Sequence, residues 1–203
     1  IDGFPRNFDQ IPYSLYFREL MDYRNDPDFL VFISVPETVM DERMKNRVVC
    51  PTCQTPRNMK LLRTKEVGYD AEHDSHYLIC DNPDCPDPKR MVTKEGDELG
   101  IEAIRDRIEA DRKIMQQLLG LRGVPKIYLR NAVPVSEAGK VDQYELTPAY
   151  RFEGTGEDVT VIEEPWTVTD EAGQDSYSLL PAAVVVALIK QTAAVLGMEA
   201  KEG

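Results

Sequence analysis

Apolar positions change their spacing several times along the chain, and each change marks an element. Residues 1–10 show no period and carry Gly, Pro and Asn, which predicts a loop. Ile11, Leu15, Leu20 and Met21 are spaced as one face of a helix running to about Tyr23. A polar turn at Arg24–Asp28 follows. Phe29–Val35 (FLVFISV) is almost continuously apolar and rich in β-branched and aromatic side chains, as a parallel strand buried on both faces requires. Pro36 stands at the first turn of a helix that continues from Glu37 to about Asn46, acidic early and basic late. Between Cys50 and Cys85 the helical period is lost. It returns over Glu98–Leu119, where Ile101, Ile104, Ile108, Met115 and Leu118 form one stripe, ended by Gly120, Gly123 and Pro125. Lys126–Val135 (KIYLRNAVPV) predicts another strand, and β-type segments alternate from Asp142 to about Trp166. After a turn at Asp170–Gln174, Leu180–Leu196 predicts an apolar helix. Strands alternating with helices argue for an α/β layer fold with parallel strands.

Size and charge narrow the function classes. The 203 residues suit one domain, or one domain with a small insertion, and 42% hydrophobic content supports a core. No run reaches the ~18 apolar residues of a membrane helix. A net charge of −12 argues against a nucleic acid polymer as partner, although a few converging arginines still suit a small nucleotide. The chain opens on Ile1 with no secretory signal pattern.

The cysteines fall in two close pairs, spaced Cys50-x2-Cys53-x26-Cys80-x4-Cys85. This pattern reads as a tetrahedral metal site, zinc above all, more than as a disulfide framework, and it favours a reducing, cytoplasmic setting. His73 and His76, inside the long gap, are candidate replacement ligands.

A second constellation lies at the start. Gly3 and Pro5 bend the chain and present Arg6, whose guanidinium suits a phosphate, and Gln10 follows four residues on. Asp2-Gly3-Phe4-Pro5-Arg6 with Gln10 resembles the monophosphate-binding segment of adenylate kinases. The resemblance implies that Arg6 holds the AMP phosphate, that Gln10 reads adenine, and that Asp2 orders water around magnesium. It extends through Val35-Pro36-Glu37 to Arg43 and Arg47, one helical turn apart, which by resemblance pack on the ATP adenine and contact ATP phosphates. Arg107, in Glu102–Arg107, matches an arginine that spans both nucleotides, and Arg90 is a weaker match for an ATP-binding arginine.

The family also carries a zinc lid at the position of the cysteines, with a shorter central gap and a tighter second pair. The resemblance thus implies an α/β fold of the P-loop NTPase type, with a parallel sheet, helices on both faces and a small zinc-binding lid insertion. The sheet is expected to be incomplete, because no G-x-x-x-x-G-K phosphate loop occurs here and the family places it upstream. Residues 1–47 form a partial core with the monophosphate loop, 48–92 the lid, and 93–203 the remaining core with a β-rich insertion at about 140–175. The implied protein is a monomer that transfers phosphate reversibly between ATP and AMP, with magnesium as companion ion. A kinase for another nucleoside monophosphate and a non-catalytic zinc-ribbon interaction module are the alternatives.

Overall fold

The computed structural model describes residues 3–22, 28–140, 145–156 and 158–198. In chain order its elements are α1 (Ile11–Asp22), β1 (Leu30–Ser34), α2 (Glu37–Lys45), β2 (Arg47–Val49), β3 (Pro56–Asn58), β4 (Val67–Asp70), β5 (Ser75–Leu78) and β6 (Val92–Thr93). There follow α3 (Arg105–Gly120), β7 (Lys126–Arg130), β8 (Ala132–Pro134), β9 (Pro148–Glu153), β10 (Thr160–Pro165), β11 (Thr167–Thr169), β12 (Asp175–Ser178) and α4 (Pro181–Val195). No helix among the described residues is long and apolar enough to cross a membrane. The chain divides into two units, each discontinuous in sequence.

The first unit comprises residues 1–34, 104–131 and 181–203. Here the two apolar runs pair as parallel strands, Leu30 opposite Lys126 through Ser34 opposite Arg130. Phe32 of β1 is buried against Ile114 and Leu118 of α3, with Ile11, Leu30, Met115 and Leu121 around them. α4 packs along β7, where Ile127 and Leu129 are buried. Among the described residues β1 pairs with β7 alone, so its other edge is free, and Val31 and Ile33 are exposed. The helix expected from Ile11 forms, yet it buries no residue. Leu15, Phe17, Leu20 and Met21 all stand open.

The single helix expected over Glu98–Leu119 is broken. Asp97–Ile104 is a tight 3-10 stretch interrupted at Gly100, and α3 starts only at Arg105. The cause is local. Gly100 has φ of 56°, and a Cβ there would lie 2.0 Å from Asp41 Oδ1. That same oxygen accepts the Ile101 N–H at 3.1 Å. Only glycine fits beside the carboxylate in this conformation. The run Lys126–Val135 is likewise two strands, because β7 and β8 belong to separate sheets.

The second unit comprises residues 35–103 and 132–180. The cysteine-bearing segment forms an antiparallel sheet of order β3-β2-β6 and a β4–β5 hairpin. Residues 132–180 add a β9–β10 hairpin and a sheet of order β11-β12-β8. The two parts share a core: Val39 of α2 and Leu61 of the cysteine segment are buried with Ala149, Trp166 and Val168. Trp166, 6% exposed, is thus packing, and Lys60 lies over its ring at 5.8 Å. Glu171 accepts the Glu37 N–H at the start of α2 at 2.6 Å, where a carboxylate complements the helix dipole.

The long gap between the cysteine pairs is used to build the β4–β5 hairpin. Gly68 faces Tyr77, whose ring fills the space a Cβ would take. Arg90 lies over that ring at 4.3 Å and pairs with Asp70 at 2.5 Å. The hydrogen bond from Arg90 is the main reason that the Asp70 carboxyl is lowered to about 2.

Two outcomes test this account. Trp166→Ala should lower unfolding stability by about 3–5 kcal/mol, read as a lower urea midpoint. Asp70 has a folded pKa below its unfolded value of about 3.9, so its contribution is complete above pH of about 4 and lost as pH falls toward 2. Wild type and Asp70→Asn should therefore differ in urea midpoint at about pH 5, and the difference should close on acidification; a constant gap would rule out the Arg90 pairing as its source.

Candidate functional site

The four cysteines are brought to one place by two loops of the second unit. Cys50 follows β2, and the chain reverses through Gln54, which has φ of 58° and donates its N–H to Cys50 O at 2.9 Å. Cys80 follows β5, and Cys85 closes the second loop by donating its N–H to Asn82 O at 3.0 Å. An ion pair of 2.6 Å between Arg57 on β3 and Asp81 ties the loops together. Around them Val48, Leu78 and Met91 exclude water.

The four Sγ atoms lie within 4.8 Å of one another, with Cys50–Cys85 at 3.8 Å and Cys53–Cys80 at 3.6 Å. Four sulfurs at a Zn–S distance of ~2.3 Å would be ~3.8 Å apart along a tetrahedron edge. A disulfide needs ~2.05 Å. The thiols are free, so the spacing fits a shared ion. Cys53 is lowered to about 6, chiefly by the Thr55 hydroxyl 3.1 Å away, while burial pushes Cys85 up to about 12. A cation would draw protons from all four on binding. The cysteines are therefore positioned to hold a metal ion. The histidines are engaged elsewhere: His73 Nδ1 lies 3.1 Å from Asp70, and His76 Nε2 meets Gly154 O at 3.0 Å, its ring near Tyr69 and Phe152.

The arginines are placed as follows. In the first unit, the Arg6 N–H donates to Gln10 Oε1 at 2.6 Å, and Arg6 Nε donates to Gly3 O at 2.7 Å. Gly3, with φ of 61°, leaves room for the guanidinium where a Cβ would sit 2.6 Å from it. Asn7 caps the turn by accepting the Gln10 N–H. Arg6 and Gln10 are thus joined in one loop, while Asp2 lies outside the described residues. Arg107 is exposed on α3, 3.8 Å from Asp111.

In the second unit each expected arginine holds a protein partner. Arg43 is half-buried and donates to Ser178 Oγ at 3.2 Å; burial lowers its pKa. Arg47 forms a two-pronged pair with Asp97, Nε–Oδ2 2.5 Å and Nη2–Oδ1 2.6 Å. Asp97 is buried, and this pairing holds its carboxyl below the usual range. Arg90 is taken by Asp70 and Tyr77. Ser178 was not marked by any sequence signal. Asp97 was visible as an acidic residue after the cysteines, but its tie to Arg47, fifty positions away, had no local signature.

No protein-family model matches the chain, and no solved structure does. Partial similarity exists to curated adenylate kinases. The chain is 29% identical to that of Mycoplasma capricolum over 91 residues, 44% of this chain and 41% of the relative. It is 28% identical to that of Mycoplasma mycoides over 105 residues, covering 51% and 41%. With that of Oceanobacillus iheyensis it shares 28% over 123 residues, covering 59% and 47%. The chain spans less than half the length of each of these relatives. Low identity over partial lengths indicates a distant relationship to adenylate kinases.

Proposed function

We propose that this chain is part of a nucleoside monophosphate kinase of the adenylate kinase type, which moves phosphate reversibly between ATP and AMP in the cytoplasm as a monomer. The observation that carries the reading is the loop Gly3–Gln10, where Arg6 and Gln10 are joined by a hydrogen bond in a chain distantly similar to adenylate kinases. The guanidinium stands at an exposed turn, as a phosphate contact requires. In this reading Gln10 reads the adenine carried on that phosphate.

Phosphoryl transfer asks little covalent chemistry of a protein. It asks for placement, exclusion of water and positive charge around the moving group. In this reading Arg6 holds the monophosphate, Arg107 and Arg47 neutralise the transferred group, and Arg43 and Arg90 serve the ATP side, with magnesium on the phosphates and Asp2 near it. Arg47 would exchange the Asp97 carboxylate for a phosphate, its planar guanidinium meeting two oxygens in either case. In this reading the Gly-rich phosphate loop follows a strand that would pair with the backbone edge of β1 left open among the described residues.

The thiolates of Cys50, Cys53, Cys80 and Cys85 would hold zinc. Four protein ligands leave no open position, so the ion would act as a cross-link for a segment with a small core. A second reading, a non-catalytic zinc-ribbon interaction module, is favoured by one observation: Arg43 is half-buried and already donates to Ser178 Oγ.

Calorimetric titration separates the readings. AMP should bind the chain, and Arg6→Ala should abolish the measurable heat without changing zinc content. In the enzyme that includes the phosphate loop, the same change should lower turnover by roughly 10²–10³-fold. Absence of AMP binding by the parent chain would support the interaction module. Metal analysis should find one zinc per chain, lost in Cys50→Ser, and a chelator should lower the melting temperature; a metal-free protein indifferent to chelator would end the zinc assignment.

A further inference from the structure

We infer that Asn82 is a positioning residue of the metal centre, reaching from the second cysteine loop across to the first and fixing Cys53 by an N–H···S bond. This rests on the metal reading above. Asn82 lies inside the Cys80-x4-Cys85 loop. Its Nδ2 is 3.6 Å from Cys53 Sγ and donates to Thr55 Oγ1 at 2.9 Å, both on the other loop. Its Oδ1 accepts the Asp84 N–H at 3.1 Å. That bond settles which way the amide faces, because only the oxygen can accept from a backbone N–H.

Asn82 touches the other cysteines through its backbone. Its carbonyl accepts the Cys85 N–H at 3.0 Å, and its own N–H is bonded to Cys80. One residue therefore contacts three of the four ligands.

In the tight Cys50-x2-Cys53 loop, the backbone N–H groups of Thr52 and Cys53 both turn toward the Cys50 sulfur. In the longer loop, the Asp84 and Cys85 N–H groups are consumed inside the loop by Asn82 itself. The Asn82 side-chain amide is aimed at the sulfur of the opposite loop. Four thiolates around a divalent cation carry excess negative charge, which N–H···S bonds spread while holding each sulfur in its direction.

Two substitutions separate this role from mere turn formation. Asn82→Asp keeps the acceptor for the Asp84 N–H but replaces the donor with a carboxylate facing Cys53. Asn82→Ala loses both groups. Zinc retention by the full chain would be measured in competition with a chromophoric chelator, and the cobalt(II)-loaded proteins would be compared by their sulfur-to-cobalt charge-transfer band. Both variants should hold zinc about 10–100-fold more weakly than wild type and show a displaced band. Saturating zinc should restore a cooperative melt, which separates loss of retention from loss of fold. An Asn82→Asp protein that matches wild type in retention and spectrum would overturn the role of Asn82 while leaving the metal centre standing. A wild-type chain that takes up neither zinc nor cobalt would overturn the metal reading and this inference with it.

Discussion

Four sulfur atoms converging within 4.8 Å are the constraint on which the second unit depends. They arrive from two loops separated by a long hairpin-bearing gap, and the residues around them make only a small core: Val48, Leu78 and Met91 are its buried aliphatic members. Burial raises Cys85 and Cys80, while Cys50 and Cys53 are lowered. A bound cation would hold all four sulfurs as thiolates against a single positive centre. The β3-β2-β6 sheet and the hairpin held by Arg90 and Asp70 both lead into these loops.

The arginines follow a different rule. A guanidinium is a strong donor and rarely stays idle beside buried acceptors. Arg47 meets the buried carboxylate of Asp97 with both prongs, and Arg43 meets Ser178. A ligand phosphate would have to offer Arg47 as good a geometry as Asp97 already does. In the first unit, the Arg6 side chain donates, among the described residues, to the Gly3 backbone carbonyl, which a phosphate would displace with less loss. The same residue type is therefore differently prepared in the two units.

Much of this was legible in the sequence wherever a local rule decided the outcome. The apolar FLVFISV run became β1, Pro36 stands at the start of α2, and the Leu180–Leu196 run became α4. The cysteine pairs found each other as their spacing required. What was not legible depended on distant partners. Gly100 broke a strongly periodic helix because Asp41, far earlier in the chain, occupies its side-chain space. β7 ends at Arg130 and β8 begins at Ala132 in a separate sheet, which splits an apparent single strand. The open apolar side of α1 could not be read either, since periodicity tells that a helix has a face and not what covers it.

The interleaving of the two units has a practical consequence. The second is made of two stretches spliced into the first, one between β1 and α3, the other between β7 and α4. Without them the first unit would run α1-β1-α3-β7-α4, a plain alternation. No single contiguous gene segment encodes either unit alone, so terminal trimming is a poor way to isolate them. Replacing residues 35–103 or 132–180 by a short bridge respects the architecture, because each splice leaves and re-enters the same parallel-stranded scaffold.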